Sequence, residues 1–234
     1  MVFKFKEFSV EQDKTAMKIG TDAVLLGAWT KINKPINSIL DIGAGTGVIA
    51  LQMAQLYDAE IIDAIEIEPN AYEQCVANFE NSPWSDRLFC YHTSLQEFTS
   101  EIDETYDLIV SNPPFYTANF LSDDKKRNQA RQTASLSFDE LLNSVKKLLS
   151  DNGFFSVIIP FSEESLFLEK AKIHSLFPIK ITHVKGNKEA KIKRSLILFS
   201  KSKIKNISEN ELILEIKRHQ RTAEYQKLVD AFYL

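Results

Sequence analysis

Several features that define other protein classes are scarce or missing in this sequence of 234 residues. Only two cysteines occur, Cys75 and Cys90, and they lack the spacing of metal ligands, which argues against a disulfide scaffold and predicts a cytoplasmic protein. Seven glycines and seven prolines are too few for a collagen-like or disordered chain. No apolar run approaches the roughly 18 residues of a membrane span. The four histidines are scattered, so no metal site is expected.

The amino terminus also lacks the pattern of a secretory signal. Its first residues, MVFKFKEFSVEQDK, alternate charges with aromatic side chains and contain no continuous apolar stretch. The composition, 44% apolar and 26% charged, is that of a globular protein long enough for one substantial core. Because no linker, repeat or low-complexity tract interrupts it, we expect a single domain over residues 1–234, with a short extension over residues 1–35.

The net charge is small, −4, but it is unevenly distributed. Residues 1–120 contain 7 Lys and Arg against 18 Asp and Glu, whereas residues 121–234 contain 21 against 14. A lysine-rich run extends from Lys180 to Lys205. This asymmetry predicts a basic face that contacts the phosphates of a nucleic acid. A solvated, lysine-protected sheet edge is the alternative interpretation.

Short β-rich runs alternate with helical patterns along most of the chain. The predicted strands are Ile39–Ile42, Ile61–Ile67, Leu88–Tyr91, Asp107–Ser111 and Phe154–Ile159. The predicted helices are Val48–Tyr57, Pro69–Asn81, Phe138–Leu149, Ser162–His174 with Ser162 as its cap, and a final amphipathic helix from Tyr225 to Phe232. Such alternation predicts an α/β fold with a mostly parallel, doubly wound, Rossmann-like sheet.

Three later runs are strand-like without strong helices between them: Ile179–Val184, Ser195–Ser200 and Glu211–Ile216. Strands that follow one another through short connections pair antiparallel more readily than parallel. We therefore expect these runs to form an antiparallel C-terminal edge on the same sheet.

A glycine-rich turn, Asp41-Ile-Gly-Ala-Gly-Thr-Gly47, follows the first predicted strand and opens a helix. Gly43, Gly45 and Gly47 allow backbone N–H groups to approach a ligand at the helix N-terminus. The dinucleotide fingerprint requires glycine where this chain has Val48, and no P-loop lysine follows. The spacing therefore disfavours pyrophosphate binders.

An acidic residue ends the second strand: Glu66 lies 19 residues after Gly47. A carboxylate about 20 residues beyond the glycine turn is placed to accept hydrogen bonds from ribose hydroxyls. Glu68 is a second, weaker candidate for that role.

Together these residues resemble the class I methyltransferases that use S-adenosyl-L-methionine. The resemblance implies that the glycine turn borders the methionine part, that Asp41 orients it and that Glu66 holds the ribose. It also places Ser94 and Leu95 beside the adenine ring, although many members have Asp where this chain has Ser94.

A second motif, Asn112-Pro113-Pro114-Phe115, follows the fourth predicted strand. Two prolines make the loop stiff, so the Asn112 amide oxygen and the Pro113 carbonyl form adjacent acceptors for both protons of one planar NH₂ group. Such a grip aims the nitrogen lone pair at a methyl donor, and Phe115 can stack on a planar ring. Catalysis would rest on alignment, with Asn112 also bordering the cofactor.

This motif resembles that of enzymes that methylate amino groups conjugated to a ring or carbonyl. A base in a duplex hides its amino group, so a target adenine must be unpaired or flipped out. Phe115 and Tyr116 are the expected stacking platform for it.

Three further segments carry a resemblance over nearly the full chain. They are Met17–Trp29, Arg127–Thr133 with Leu136–Phe138, and Glu224–Leu234. With the two motifs above they resemble the bacterial valine-tRNA adenine-37 N6-methyltransferases. That resemblance implies a tRNA partner and puts Thr21 and Asp22 near the cofactor, whereas local chemistry equally allows these two residues to cap a helix.

Basic residues near the second motif and in a later hairpin are predicted to contact RNA phosphates. They are Lys125, Lys126, Arg127, Arg131, Lys188, Lys191, Lys193 and Arg194. Three alternatives remain open: methylation of a protein glutamine amide, methylation of an rRNA amino group, and a non-catalytic RNA-binding module. We expect a monomer.

Overall fold

The computed structural model describes residues 2–15, 17–113 and 136–234, and the structural statements below refer to these residues. The strands are β1 (Val2–Lys4), β2 (Ser9–Glu11), β3 (Ser38–Ile42), β4 (Ile61–Glu66), β5 (Leu88–His92), β6 (Tyr106–Ser111), β7 (Leu149–Pro160), β8 (Phe177–Lys185), β9 (Ile192–Ser200), β10 (Ser208–Ile213), β11 (Glu215–Lys217) and β12 (Gln220–Arg221). The helices are α1 (Thr21–Trp29), α2 (Val48–Leu56), α3 (Pro69–Glu80), α4 (Leu95–Glu101), α5 (Phe138–Leu148), α6 (Glu164–Ile173) and α7 (Ala223–Val229).

Eight strands form one sheet in the order β10-β8-β9-β7-β6-β3-β4-β5. Strands β3 to β7 pair in parallel, which confirms the doubly wound α/β sheet. The chain proceeds outward from β3 through β4 to β5, and then returns to place β6 on the other side of β3. The carboxyl ends of β3 and β6 therefore flank the point at which strand order reverses, where open α/β sheets bind their ligands.

The C-terminal edge is antiparallel at β9, which lies between β7 and β8 and opposes both. This confirms the expected antiparallel edge, but β10 pairs with β8 in parallel, with Ser208 opposite Lys180. The physical reason is the path of the connection. Strand β9 ends at the amino edge of the sheet, and residues 201–207 carry the chain past β8 at that same edge, so β10 starts level with the start of β8.

Both faces of the sheet are buried, in keeping with its continuous apolar strands. Alternate residues of each strand enter opposite layers: Ile39 and Leu108 belong to the cluster under α1, α2 and α3, whereas Leu40 and Ile109 belong to the cluster under α4, α5 and α6. No helix in the described residues is long and apolar enough to cross a membrane.

The expected cap of α6 is wrong. Ser162 lies inside a short 3₁₀ turn, Phe161–Glu163, and α6 has no side-chain cap hydrogen bond. A capping residue needs an extended backbone, but the residue before α6, Glu163, is itself helical, with φ −97° and ψ −7°. The serines that do cap helices are Ser94 and Ser137, each in a reciprocal capping box with a glutamate three residues on.

The first 35 residues hold more structure than an extension. Strands β1 and β2 form a hairpin too short to give a strand signal in the sequence, and between them the rings of Phe5 and Phe8 stack at 4.5 Å. The Lys6 amide donates to the Phe232 carbonyl at 2.9 Å, so the two ends of the chain meet. Downstream, α1 lies buried from Ala23 to Trp29.

Candidate active site

The strand ends at the carboxyl edge bring three of the predicted residues to one region. Asp41 lies near the end of β3, Glu66 ends β4, and Asn112 follows β6 directly. The switch point is tied together by Ser111, whose hydroxyl donates to the Ile42 carbonyl at 2.9 Å. The sheet therefore brings to one edge, from distant parts of the sequence, residues that the two motifs assigned to a common site.

Asp41 is fully buried, and only one of its carboxylate oxygens is satisfied. Its Oδ2 accepts from the Ala50 amide at 3.1 Å, while Oδ1 has no hydrogen-bond partner within the described chain. Burial, and to a lesser extent the charge of Glu66, raise the pKa of Asp41 to about 7. A buried acceptor without a donor is costly, and a cationic ligand would supply the missing donor and charge.

The glycine turn leaves room for a ligand at two of its three glycines. All three have positive φ: +74° at Gly43, +57° at Gly45 and +79° at Gly47, a conformation that side chains disfavour. A Cβ at Gly43 or Gly45 would meet nothing within 4 Å, but at Gly47 it would lie 2.6 Å from the Phe79 ring and 2.8 Å from Cys75 Sγ. Gly43 and Gly45 thus border open space, whereas Gly47 permits close packing of the turn on α3.

Glu66 holds the glycine turn from the neighbouring strand. Its two carboxylate oxygens accept from the Gly45 amide at 2.8 Å and from the Glu68 amide at 2.9 Å. Each oxygen keeps a second lone pair for a hydroxyl donor. Glu68, the weaker ribose candidate, instead caps α3 by accepting from the Ala71 amide at 2.7 Å.

Asn112 is half-buried and Pro113 is buried, immediately beyond β6. Both lie at the same edge as the glycine turn, as predicted. Seven further residues assigned to substrate contact lie outside the described residues; they are Pro114, Phe115, Tyr116, Lys125, Lys126, Arg127 and Arg131.

Ser94 and Leu95 lie beyond β5, and both have structural partners. The Ser94 hydroxyl bonds Glu97 in the capping box of α4, and the Leu95 side chain is 6% exposed within the apolar cluster under α4. Contact with an adenine ring stays a prediction for both residues.

The N-terminus of α1 reaches the same edge. Neither Thr21 nor Asp22 caps the helix, because Gly20 occupies the cap position and no side chain bonds there; the capping alternative is wrong. Asp22 instead pairs with Arg194 at 2.7 Å. Arg194, predicted to grip RNA phosphate, thus shares its charge with a carboxylate.

The basic run from Lys180 to Lys205 is divided by the fold. Strand β8 runs toward the carboxyl edge and β9 runs back, so the hairpin with Lys188, Lys191 and Lys193 stands at the site's edge, and all three side chains are exposed. Lys201, Lys203 and Lys205 follow β9 at the opposite edge. Of these two groups of three lysines, the one in the hairpin shares an edge with Asn112.

Two amide side chains on α3 were not predicted to matter. Asn78 donates to the carbonyls of Thr46 and Glu11, both at 2.9 Å, and its oxygen accepts from the Glu11 amide. One turn earlier, Gln74 accepts from the Asp13 and Lys14 amides. They join the glycine turn to the N-terminal segment. Their i, i+4 spacing on a buried helix face was the signal available in the sequence.

Taken together, Asp41, Gly43, Gly45 and Glu66 could hold a cationic ligand with a ribose, and Asn112 with Pro113 could hold an amino group beside it. Among the described residues no group of three His, Cys, Asp or Glu side chains lies together as metal ligands would.

Comparison with known proteins agrees with this geometry. Residues 14–160 match the model of the methyltransferase small domain. A Flavobacterium johnsoniae protein named tRNA1(Val) (adenine(37)-N6)-methyltransferase is 54% identical over 233 residues, covering 100% of this chain and 99% of its own. A protein of the same name from Christiangramia forsetii is 56% identical, with coverage of 99% and 97%.

Solved structures resemble the chain in fold. An Agrobacterium tumefaciens protein described as a predicted O-methyltransferase superposes with a TM-score of 0.71 at 19% identity, over 90% of this chain and 96% of its own. TYW2 from Pyrococcus horikoshii, in complex with MeSAdo, gives a TM-score of 0.58 at 16% identity, over 86% and 71%.

Proposed function

The chain belongs to the methyltransferase small domain family, together with the tRNA1(Val) (adenine(37)-N6)-methyltransferases, and we propose that it methylates N6 of adenine 37 in valine tRNA with S-adenosyl-L-methionine as donor. The observation that carries this proposal is the placement of Asn112 and Pro113 beside the glycine turn, across the switch point between β3 and β6.

The residues around the turn fit the donor. The open space at Gly43 and Gly45 admits a ligand backbone, and the unpartnered oxygen of Asp41 suits a positively charged amino group. Glu66 retains lone pairs for ribose hydroxyls. When bound, the donor supplies an electrophilic methyl group on a sulfonium sulfur.

Asn112 and Pro113 act on the acceptor. Their adjacent oxygens accept both protons of the adenine N6 amino group, which raises electron density on that nitrogen and points it at the methyl group. As the nitrogen bonds the methyl carbon, the bond from that carbon to sulfur would break and its electron pair would return to sulfur, which leaves as a neutral thioether. The methylated nitrogen would then lose one proton to solvent, so no base is required before attack. The chain's contribution is alignment, which is worth several kcal/mol in reactions of this kind.

The basic hairpin favours RNA over the glutamine amide of a protein. Lys188, Lys191 and Lys193 stand exposed at the same edge as Asn112, where they can neutralise phosphates on either side of an extruded base. We place the activity in the cytoplasm, where tRNA is used, and a monomeric state stays a prediction.

The test is methyl transfer from labelled S-adenosyl-L-methionine to total RNA of a strain that lacks the gene, followed by nucleoside analysis. We expect label only in the tRNA fraction, as N6-methyladenosine. RNA from the parent strain, which has the gene and whose tRNA is already methylated, should accept no labelled methyl group. Label in rRNA or in protein, or a different methylated nucleoside, would contradict the proposal.

A further inference from the structure

A cavity of about 280 Å³ lies apart from the strand ends, between the C-terminus of α1, the start of α7 and the edge strands β8 and β10. Three lysines line it, Lys31, Lys180 and Lys227, against one carboxylate, Glu224. We call it the lysine pocket. Its position follows from α1. In the first turn of this helix Asp22 pairs with Arg194 at the carboxyl edge, and at 1.5 Å per residue the helix ends at the pocket roughly 13 Å away.

The floor of the lysine pocket is rigid and aromatic. The Lys180 ammonium sits 4.3 Å from the centroid of the Trp29 ring, a cation–π contact. Trp29 is buried, and its indole N–H donates to the Thr182 hydroxyl at 2.9 Å, which in turn donates to the Asn210 amide oxygen at 2.6 Å. Asn210 is exposed, and its amide N–H groups have no acceptor among the described residues, so they are available to a ligand.

The charges of the pocket are not balanced from within. No carboxylate in the described part of the chain forms an ion pair with Lys31, Lys180 or Lys227. Burial, and then the neighbouring charge of Lys31, lower the pKa of Lys180, so the two ammonium groups repel each other across a half-buried space. An anion between them would relieve the repulsion.

We propose that the lysine pocket binds a phosphate group, and that a backbone phosphate of the RNA substrate supplies it during methyl transfer. Three ammonium groups and an amide donor match the oxygens of a phosphate. The roughly 13 Å between the carboxyl edge and the pocket is short enough for one RNA strand to reach both. The RNA part of this inference rests on the proposed function.

Two binding measurements test the inference without any methyl transfer. The first is affinity for tRNA as a function of salt, compared between the unchanged protein, Lys180→Met, Lys31→Met and Lys227→Met. Methionine keeps the apolar stem over Trp29 and removes the charge. The matched control is Lys146→Met, because Lys146 is an exposed lysine of α5 on the other face of the sheet. Lys31 and Lys227 are exposed, so these variants keep the test informative if Lys180→Met unfolds.

The second measurement is Trp29 fluorescence during titration with inorganic phosphate. A Trp84→Phe background leaves Trp29 as the only tryptophan, since the chain has two. Phosphate that draws the Lys180 ammonium away from the ring changes the emission in a saturable way, and Lys180→Met abolishes that change.

We expect each pocket variant to bind tRNA about fivefold more weakly and to lower the slope of log affinity against log salt by about one. If phosphate changes the fluorescence but the pocket variants bind tRNA as tightly as the unchanged protein, RNA does not supply the phosphate. The pocket would then bind a free phosphate compound. If the pocket variants and Lys146→Met behave alike in both measurements, phosphate binding is refuted. Failure of the proposed function would appear separately, as absent methyl transfer by the unchanged protein.

Discussion

At the scale of single residues, the site depends on polar groups that are costly to the fold. Asp41 is buried with one oxygen unpaired, and Gly43 and Gly45 hold positive φ beside empty space. The unpaired oxygen of Asp41 destabilises the protein alone, and a bound cationic group would offset that cost. Glycine adopts positive φ without strain, so Gly43 and Gly45 keep the space open at little cost. Asp41 is therefore a position where stability and the proposed donor binding oppose each other.

Replacement of Asp41 by Asn tests this opposition. The pKa of Asp41 rises from 3.8 to about 7 on folding, so the folded protein holds the extra proton between these values. Stability without donor should therefore fall as pH rises through this interval, by up to about 4 kcal/mol. In D41N that loss should disappear and donor affinity should drop at least tenfold. Urea unfolding and calorimetric titration at pH 5 and pH 8 measure both effects, and equal pH dependence in the two proteins would contradict the argument.

Asn112→Ala isolates the grip on the amino group. The side chain is placed to hold the acceptor, so we expect donor affinity to change less than threefold while kcat falls at least 100-fold. Calorimetry with S-adenosyl-L-methionine and labelled methyl transfer to tRNA provide the two values. Asn143→Ala, at an exposed position of α5, is the matched control. An unchanged kcat in N112A would remove Asn112 from the mechanism.

At the scale of secondary structure, the glycine turn is a junction between β3, β4 and α3. The Gly43 and Ala44 amides donate to the Ile65 carbonyl, and Glu66 accepts from the Gly45 amide. From α3, the Asn78 side chain donates to the Thr46 carbonyl. The turn is thus held by its neighbours before any ligand arrives, which is the condition for alignment without reorganisation.

Substitutions at two glycines of the turn should affect different properties: one mainly the stability of the fold, the other mainly the binding of the donor. Gly47→Ala places Cβ against Phe79 and Cys75 at positive φ, so we expect a loss of about 3 kcal/mol in the free energy of unfolding. Gly43→Ala carries only the backbone strain, about 1–2 kcal/mol, but its methyl group enters the open space and should weaken donor binding at least tenfold. Urea denaturation and calorimetry measure both quantities. Equal stability losses in the two variants would refute the distinction.

At the scale of the whole molecule, the fold sorts the charges of the C-terminal half. Hairpin β8–β9 carries Lys188, Lys191 and Lys193 to the edge that holds Asn112, while Lys201, Lys203 and Lys205 return to the opposite edge. Arg194, on the same hairpin, is paired with Asp22. An RNA that reaches the active site therefore meets the hairpin lysines and not the second group.

Two triple variants with equal charge test this sorting. Changing Lys188, Lys191 and Lys193 to Gln should weaken tRNA binding and lower the salt slope by about two to three, since each phosphate contact contributes roughly 0.7–0.9. The control changes Lys201, Lys203 and Lys205 to Gln and should leave the slope within about 0.5 of the unchanged protein. Filter binding from 50 to 300 mM salt measures both. Equal slopes for the two triples would show that location in the fold does not matter.

The sequence alone determined the parts of this protein that local chemistry specifies. Strand and helix periodicity predicted the parallel sheet. The spacing of Asp41, the glycines, Glu66 and Asn112 predicted that these residues meet at one edge of the sheet, because each lies at or next to a strand end. Helix caps and strand pairings were harder to predict from the sequence. Ser162 satisfied a local capping rule, but the 3₁₀ turn before α6 moved the cap position.

Only the tertiary structure decided which distant groups meet. The parallel pairing of β10, the bond from Asn78 to the glycine turn, the Asp22–Arg194 pair and the lysine pocket each join residues at least 28 positions apart. No period or motif in the sequence records such contacts, since they arise from the order of strands in the sheet and from the direction in which each connection returns. For the same reason a single lysine-rich run separates into a hairpin at the site, a pocket at the sheet's edge and a solvated turn at its far end.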